Sequence, residues 1–290
     1  MTTLSACLVV HHEEERLAGC LESFADLVDE IVVVHDGPCA DETLAIARRF
    51  TDKVFTTEAR SGSSEFARPF ALEHCTKEWV LVIDADERLS PELRTSLRSL
   101  IDEPGVDAYG FSWPYVDAHG RRARTSVSGK KFLFRRSNMY TIGLPHMTPE
   151  TYGRSVASSL EVRHLLPELN GRGLFQSLLQ KNRRRGRAAA AILAAGIDRV
   201  DTFNARLSDD RVKNAGKIRL LTKRPLLALL VIPSYGFWYW YVMQGYWKAG
   251  RIGVHDALNL PTYYGSIAFN LLLHRWRRKG SAAPVSNDRA

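Results

Sequence analysis

Cysteine is scarce: four residues in 290, at positions 7, 20, 39 and 75, with no C-x-x-C pair and no zinc-type spacing. That excludes a disulfide-stapled scaffold and a zinc ribbon, and reads as reduced thiols packed as small hydrophobes in a cytoplasmic chain. No basic stretch followed by an apolar run stands near residue 1, so no signal peptide is expected. Internal repeats are lacking, which excludes solenoids and propellers. Charge is missing from 225–247 and again from 257–273. Acidic residues are sparse in the second part of the chain. Residues 1–104 carry 10 basic and 21 acidic side chains, whereas 105–290 carry 30 and 11. The net charge of +8 therefore hides an acidic segment followed by a basic one, two surfaces suited to different partners. Hydrophobic residues at 45% and charged residues at 25% are globular proportions.

The acidic segment alternates between two periods. LSACLVV (4–10), IVVVH (31–35) and WVLVID (79–84) are short, wholly apolar runs of the kind found in parallel strands covered on both faces. Between them, Leu17, Leu21, Phe24 and Val28 predict one helix face. Asp41 predicts the cap of a second helix, and Ser90-Pro91-Glu92 the start of a third. Such alternation predicts an α/β fold, a mainly parallel twisted sheet with helices on both faces. Ligands of such sheets bind where strands end. The polar clusters fall there: His11–Glu14, His35–Asp41 and Asp84–Glu87.

Asp84-Ala85-Asp86-Glu87 offers two carboxylates, two residues apart, to one hard cation. Asp36, leaving the second strand, is placed to accept hydrogen bonds from a base N–H. Beyond residue 105, strands are predicted over 107–116, 131–135 and 158–164, and a helix over 174–195 with the basic run Lys181–Arg187. The plainer reading of that run is a solvated helix face; the functional one is phosphate or acidic lipid. A nucleic-acid module is absent, so no nucleic acid is expected as a partner.

These residues together resemble glycosyltransferase family 2, which has the GT-A nucleotide-diphospho-sugar fold. The resemblance runs through His12-Glu13 (usually Asn-Glu), Leu17, Leu21 and Ser23, then Asp36 to Thr43, Arg68 in FARPFALEHC, and Asp84-Ala85-Asp86-Glu87. Downstream, His146, His164 and the Lys181–Arg187 helix resemble a subgroup of lipopolysaccharide-core glucosyltransferase-like proteins. His12, Pro38 and Pro69 depart from the usual pattern.

The resemblance implies an inverting, metal-dependent transfer from a nucleotide-sugar, most readily a UDP-sugar, to a glycan or lipid-linked acceptor in cell-envelope synthesis. It implies that Val10, His12, Glu13, Asp36, Arg68 and Asp84 bind the donor, and that Asp86 and His164 hold Mn²⁺ or Mg²⁺. His146 is a further candidate ligand. Glu150 is the favoured catalytic base, with Asp117 and Glu87 as rivals. A non-catalytic nucleotide-binding scaffold of the same fold is the alternative. A nucleotidyltransferase is disfavoured, because no glycine-rich phosphate loop follows the first strand.

The expected organisation is a catalytic domain over 1–170, with a nucleotide-binding half (1–104) and an acceptor half (105–170). A helical basic and apolar extension over 171–280 and a disordered tail over 281–290 follow. The stretch 225–247 is long enough to span a bilayer. Its prolines, glycines and tyrosine- and tryptophan-rich second half favour helices lying in the interface on the inner face of the cell membrane instead.

Overall fold

The structure is a computed structural model that describes residues 1–58, 63–117, 121–165 and 174–281. The tail expected to be disordered lies, from residue 282, outside the described residues. The chain forms two compact units. One comprises Met1–Leu169 with Asp201–Arg211, the other Asn170–Val200 with Val212–Ala290.

The first unit is built, in chain order, from β1 (Leu4–Val10), α1 (Leu17–Glu22), β2 (Glu30–Asp36), α2 (Thr43–Arg48), β3 (Val54–Thr57), α3 (Ser64–His74), β4 (Trp79–Val82), β5 (Glu87–Leu89), α4 (Pro91–Asp102), β6 (Ala108–Val116), β7 (Arg122–Arg135), β8 (Met139–Ile142), β9 (Glu150–Thr151) and β10 (Ser155–Leu165). A last strand of this unit, β11 (Thr202–Phe203), returns from beyond residue 200 to pair with β8. That return separates the observed division from a single cut at residue 170.

Every residue of β1 is buried, as its unbroken apolar run predicts. Side chains alternate across the sheet. Leu4, Ala6, Leu8 and Val10 join a core with Leu17, Leu21, Leu93 and Leu97, while Cys7 and Val9 join another with Ala67, Ala71 and Leu72 of α3. Helices therefore cover both faces. The first helix is shorter than its apolar spacing predicts. Ser23 and Phe24 donate to Cys20 and Leu21, three residues back, so the turn tightens, and Val28 is extended. The Ser90 hydroxyl accepts from the Leu93 amide at 3.2 Å, the expected cap of α4.

The main sheet has the order β3-β2-β1-β4-β7-β6-β10-β5. β1 to β4 are mutually parallel, β7 enters antiparallel between β4 and β6, β10 runs parallel to β6, and β5 is antiparallel to β10. Two reversals restore direction, so β6 and β10 point the same way as β1, β2 and β4. The carboxyl ends of all five strands and the start of β5 share one edge. A smaller sheet, β11-β8-β9, completes the unit.

The second unit contains α5 (Leu174–Ala195), α6 (Ala215–Lys223), α7 (Pro225–Trp238) and α8 (Gly250–Ser281). On α5 the buried residues include Leu178, Asn182, Gly186, Ala189, Ala190 and Leu193, whereas Lys181, Arg183, Arg184 and Arg187 are exposed. Asn182 donates to the Asn259 carbonyl and to Thr262 Oγ1 of α8, both at 2.8 Å. A Cβ on Gly186 would lie 2.5 Å from Ser266 Oγ, so the α5–α8 approach requires glycine there. α7 continues as a π-helical turn over Tyr239–Met243. The segment Pro225–Met243 has mean hydropathy 1.4, and within it only Pro225 and Ala228 are fully buried. Leu226, Leu230 and Tyr235 are each at least 60% exposed.

Candidate active site

Asp84 leaves β4 into the shared strand edge. Its Oδ1 accepts from Arg68 Nη2 at 2.8 Å and its Oδ2 from Lys130 Nζ at 3.0 Å. Lys130 also donates to Glu87 Oε1 at 2.7 Å, and the Asp84 amide donates to Glu87 Oε2 at 2.8 Å. Arg68 and Glu87 are buried. Burial alone would push the Asp84 carboxyl up, but Lys130 and Arg68 outweigh it and hold the group well below the usual carboxylate range. Burial would likewise lower Lys130, yet Asp84 and Glu87 keep it charged. The ammonium lies 4.9 Å from the Trp113 ring and 4.7 Å from the Phe132 ring, which complete its cage.

Asp86 stands two residues on, and its Oδ2 lies 3.0 Å from His164 Nε2 at the end of β10. The Leu165 amide donates to the Asp86 carbonyl at 2.8 Å, tying the loop to that strand. The imidazole stacks on Trp113 at 4.4 Å and packs on Tyr115 at 4.6 Å. A carboxylate only accepts, so the His164 proton sits on Nε2. Its Nδ1 is buried without a hydrogen-bond partner among the described residues.

Glu13 follows β1, and its amide donates to Thr43 Oγ1 at 2.7 Å. Its carboxyl is raised from 4.5 to about 7, first by burial and then by Asp86, with Asp84 and Asp41 adding to the effect against Arg16. Glu13, Asp84 and Asp86, drawn from β1 and from the loop after β4, therefore share one field. The sign follows directly. With the folded pKa raised, the folded state holds the Glu13 proton longer than the unfolded chain does. The stability so conferred is complete below about pH 4.5 and is lost as pH rises through about 7. Thermal melts of metal-free wild type and Glu13→Gln across this window are expected to diverge, the glutamine variant losing less. Parallel curves would refute the shared field.

Val10 is paired with His35 across β1 and β2, so Val10 and Asp36 occupy neighbouring strand ends. Asp36 is buried, and its carbonyl lies 2.7 Å from His11 Nδ1. His12 has φ 53°, a left-handed conformation, with its imidazole 3.7 Å from Asp41. Asp41 Oδ1 accepts from the Thr43 amide at 3.1 Å just ahead of α2, whose cap position is taken by Glu42 and not by Asp41, the residue the sequence predicts.

The catalytic-base candidates are placed apart from one another. Glu150 lies on β9 and pairs with Lys131 Nζ at 2.5 Å, the residue next to Lys130 on β7. Asp117 accepts from the amide and Nε of Arg121 at 2.9 and 2.8 Å, closing the β6–β7 connection. Glu87 is completely buried beneath Asp84, where it braces the loop rather than facing a ligand. His146 has φ 62°, and its amide donates to Glu65 at 3.2 Å. Arg68, expected to bind the donor, is 3% exposed and pairs with Asp84 at the cleft. Lys130, Trp113 and Tyr115 went unidentified from the sequence. Nothing local marks them, since they reach the site through the β6–β7 and β6–β10 pairings.

Residues 5–160 match the family model described as glycosyl transferase family 2. Among curated proteins, a TPR repeat-containing protein of Synechococcus elongatus is 40% identical over 109 residues, 38% of this chain and 27% of that protein. An uncharacterized glycosyltransferase of Rickettsia felis is 33% identical over 109 residues, 38% of each chain. The chain thus spans less than two fifths of the length of these relatives. Among solved structures, Staphylococcus aureus TarS in complex with UDP-GlcNAc has a TM-score of 0.44 at 14% identity, covering 96% of this chain and 92% of that one. Mycobacterium tuberculosis glucosyl-3-phosphoglycerate synthase, in complex with Mn²⁺, UDP-glucose and phosphoglyceric acid, has 0.32 at 20% identity, covering 39% and 44%.

Proposed function

The chain belongs to glycosyl transferase family 2 and has its GT-A fold, and from that premise we propose that it moves a sugar from a nucleoside diphosphate donor, best a UDP-sugar, to a glycan or lipid-linked acceptor. The observation that carries this reading is the gathering of Glu13, Asp84 and Asp86 at one strand edge, close enough for the last two to raise the first. Such a gathering of carboxylates, with the His164 Nε2 facing Asp86 at 3.0 Å, fits a divalent cation that would take the place of the proton between the two. Asp86 and His164 would hold Mn²⁺ or Mg²⁺, which when bound neutralises charge developing on the leaving diphosphate.

The chain's own groups do the rest. Asp36 accepts from the base N–H, and Val10, His12 and Glu13 line the base and ribose pocket. Asp84, locked by Arg68 and Lys130, presents a carboxylate to a ribose or sugar hydroxyl. Glu150, with Asp117 as the alternative, takes the proton from the acceptor hydroxyl as its oxygen attacks the anomeric carbon and the nucleoside diphosphate departs, with inversion. A donor screen tests the reading. A UDP-sugar with Mn²⁺ is expected to raise the melting temperature, and the rise is expected to vanish in Asp84→Asn. Absence of stabilisation by any UDP-, GDP- or TDP-sugar would overturn it.

We further propose that the protein works in cell-envelope synthesis from the cytoplasmic side, with the second unit lying flat on the membrane. α8 is shared between α5, whose outer face carries exposed arginines, and α7, so a simple span is disfavoured. The bare side of α7 presents Leu226, Leu230, Tyr235 and Trp238, residues suited to the acyl–headgroup boundary. Arg275 donates to the carbonyls of Thr222 and Lys223, which sets it beside the exposed Lys223 and Arg224, while the exposed Arg278 reaches the Ala194 carbonyl at the end of α5. Anionic lipid complements that cluster. Leu230→Asp combined with Trp238→Ser is expected to reduce co-sedimentation with phosphatidylglycerol vesicles at least tenfold. Unchanged binding would remove α7 as the docking surface.

A further inference from the structure

A second constellation at the same strand edge has donors of a different kind. His12 Nδ1 or Nε2, a ring nitrogen of His35 and a carboxylate oxygen of Asp41 all lie within 4.8 Å of one another. They come from three places: the residues after β1, the end of β2, and the approach to α2. His35 is fully buried, and its Nδ1 lies 2.7 Å from the Gly37 carbonyl. A carbonyl only accepts, so the proton is on Nδ1 and Nε2 carries a lone pair. The His12 amide donates to that same Nε2 from 3.5 Å, a long contact that shows the lone pair and that a bound ion would take the place of. An imidazole oriented through its far nitrogen by a backbone carbonyl is the outer arrangement found behind metal-ligating histidines.

His12 and Asp41 supply the other two directions. His12 is 40% exposed, and its Nδ1 lies 3.7 Å from Asp41 Oδ1. Bonds of about 2.0–2.2 Å in a tetrahedral site put neighbouring ligand atoms on the order of 3.4 Å apart. The present spacing needs a movement of about 1 Å, which an exposed imidazole can make without disturbing the core. The Cys39 thiol stands next to the group and donates to Asp41 Oδ1 at 3.1 Å.

We propose that His12, His35 and Asp41 form a binding site for a borderline transition-metal ion of the Zn²⁺ class. This site is separate from the Asp86–His164 pair but shares His12 with the proposed base and ribose pocket, which is why the test is run without nucleotide. Two imidazoles and one carboxylate select such an ion over Mg²⁺, which takes oxygen ligands and sheds water reluctantly. The left-handed backbone at His12 acquires a reason in this assignment. It accompanies the placement of the imidazole 3.7 Å from Asp41.

The test is titration of the full chain, free of nucleotide, with Co²⁺ followed by visible absorption, and with Zn²⁺ followed by calorimetry. The wild type is expected to give the intense bands of a low-coordinate cobalt site, displaced by Zn²⁺ and unaffected by Mg²⁺. His12→Asn keeps a residue tolerant of φ > 0. It and Asp41→Asn are expected to weaken this binding at least tenfold and to abolish the bands. Asp86→Asn and His164→Gln are expected to retain them. The proposal is overturned if the wild type gives no such bands, or if they survive His12→Asn and disappear in Asp86→Asn, which would place the ion at the other pair.

Discussion

Lys130→Met is expected to destabilise the first unit by about 3–5 kcal/mol, the cost of removing one partner from a buried ion-pair network. The ammonium is the cation shared by Asp84 and Glu87, at 3.0 and 2.7 Å, and Glu87 has no contact with solvent. Methionine fills the cage of Trp113 and Phe132 but leaves two carboxylates facing each other. Burial already pushes the Glu87 carboxyl up, so in the variant Glu87 takes a proton and caps the loss. Two measurements check this. Denaturant unfolding near neutral pH should show the full deficit, and repeating it near pH 5 should recover part of it, because the variant's folded state gains a proton there. A deficit below about 1 kcal/mol, or one independent of pH, would mean that the network is solvated and contributes little.

Asp86→Ala is expected to lower transfer by a factor on the order of 10³ or more while leaving the fold intact, a loss comparable to removing a principal transition-state stabiliser. Asp86 is partly exposed, and its side chain makes its described contact with His164, so its removal opens no core cavity. The expected readouts are unchanged circular dichroism, a near-unchanged melting temperature without ligand, and no turnover with donor and Mn²⁺. His164→Gln should give a milder loss, since the Trp113 and Tyr115 platform remains. Full turnover by Asp86→Ala would remove the metal assignment.

The local signals in this chain were enough for most of the strands and helices of residues 1–104. Unbroken apolar runs marked β1, β2 and β4, because a strand covered on both faces has no polar side to show. Ser90-Pro91-Glu92 marked α4, because capping is settled within one turn. The acids at the ends of those strands fall together, because parallel strands deliver their carboxyl ends to a common edge.

Pairing over long sequence separations decided the rest. Lys130 reaches Asp84 only because β7 inserts antiparallel between β4 and β6. His164 meets Asp86, 78 residues away, only because β6 and β10 then resume the direction of β4. β11 joins β8 from beyond α5 for the same reason, and Glu150 faces Lys131 through the β8–β9 pairing. Apolar periodicity says which face of a strand is buried but not which strand lies beside it. Strand order and register are set by the sum of contacts across the whole sheet, and they settled which charges share a cleft.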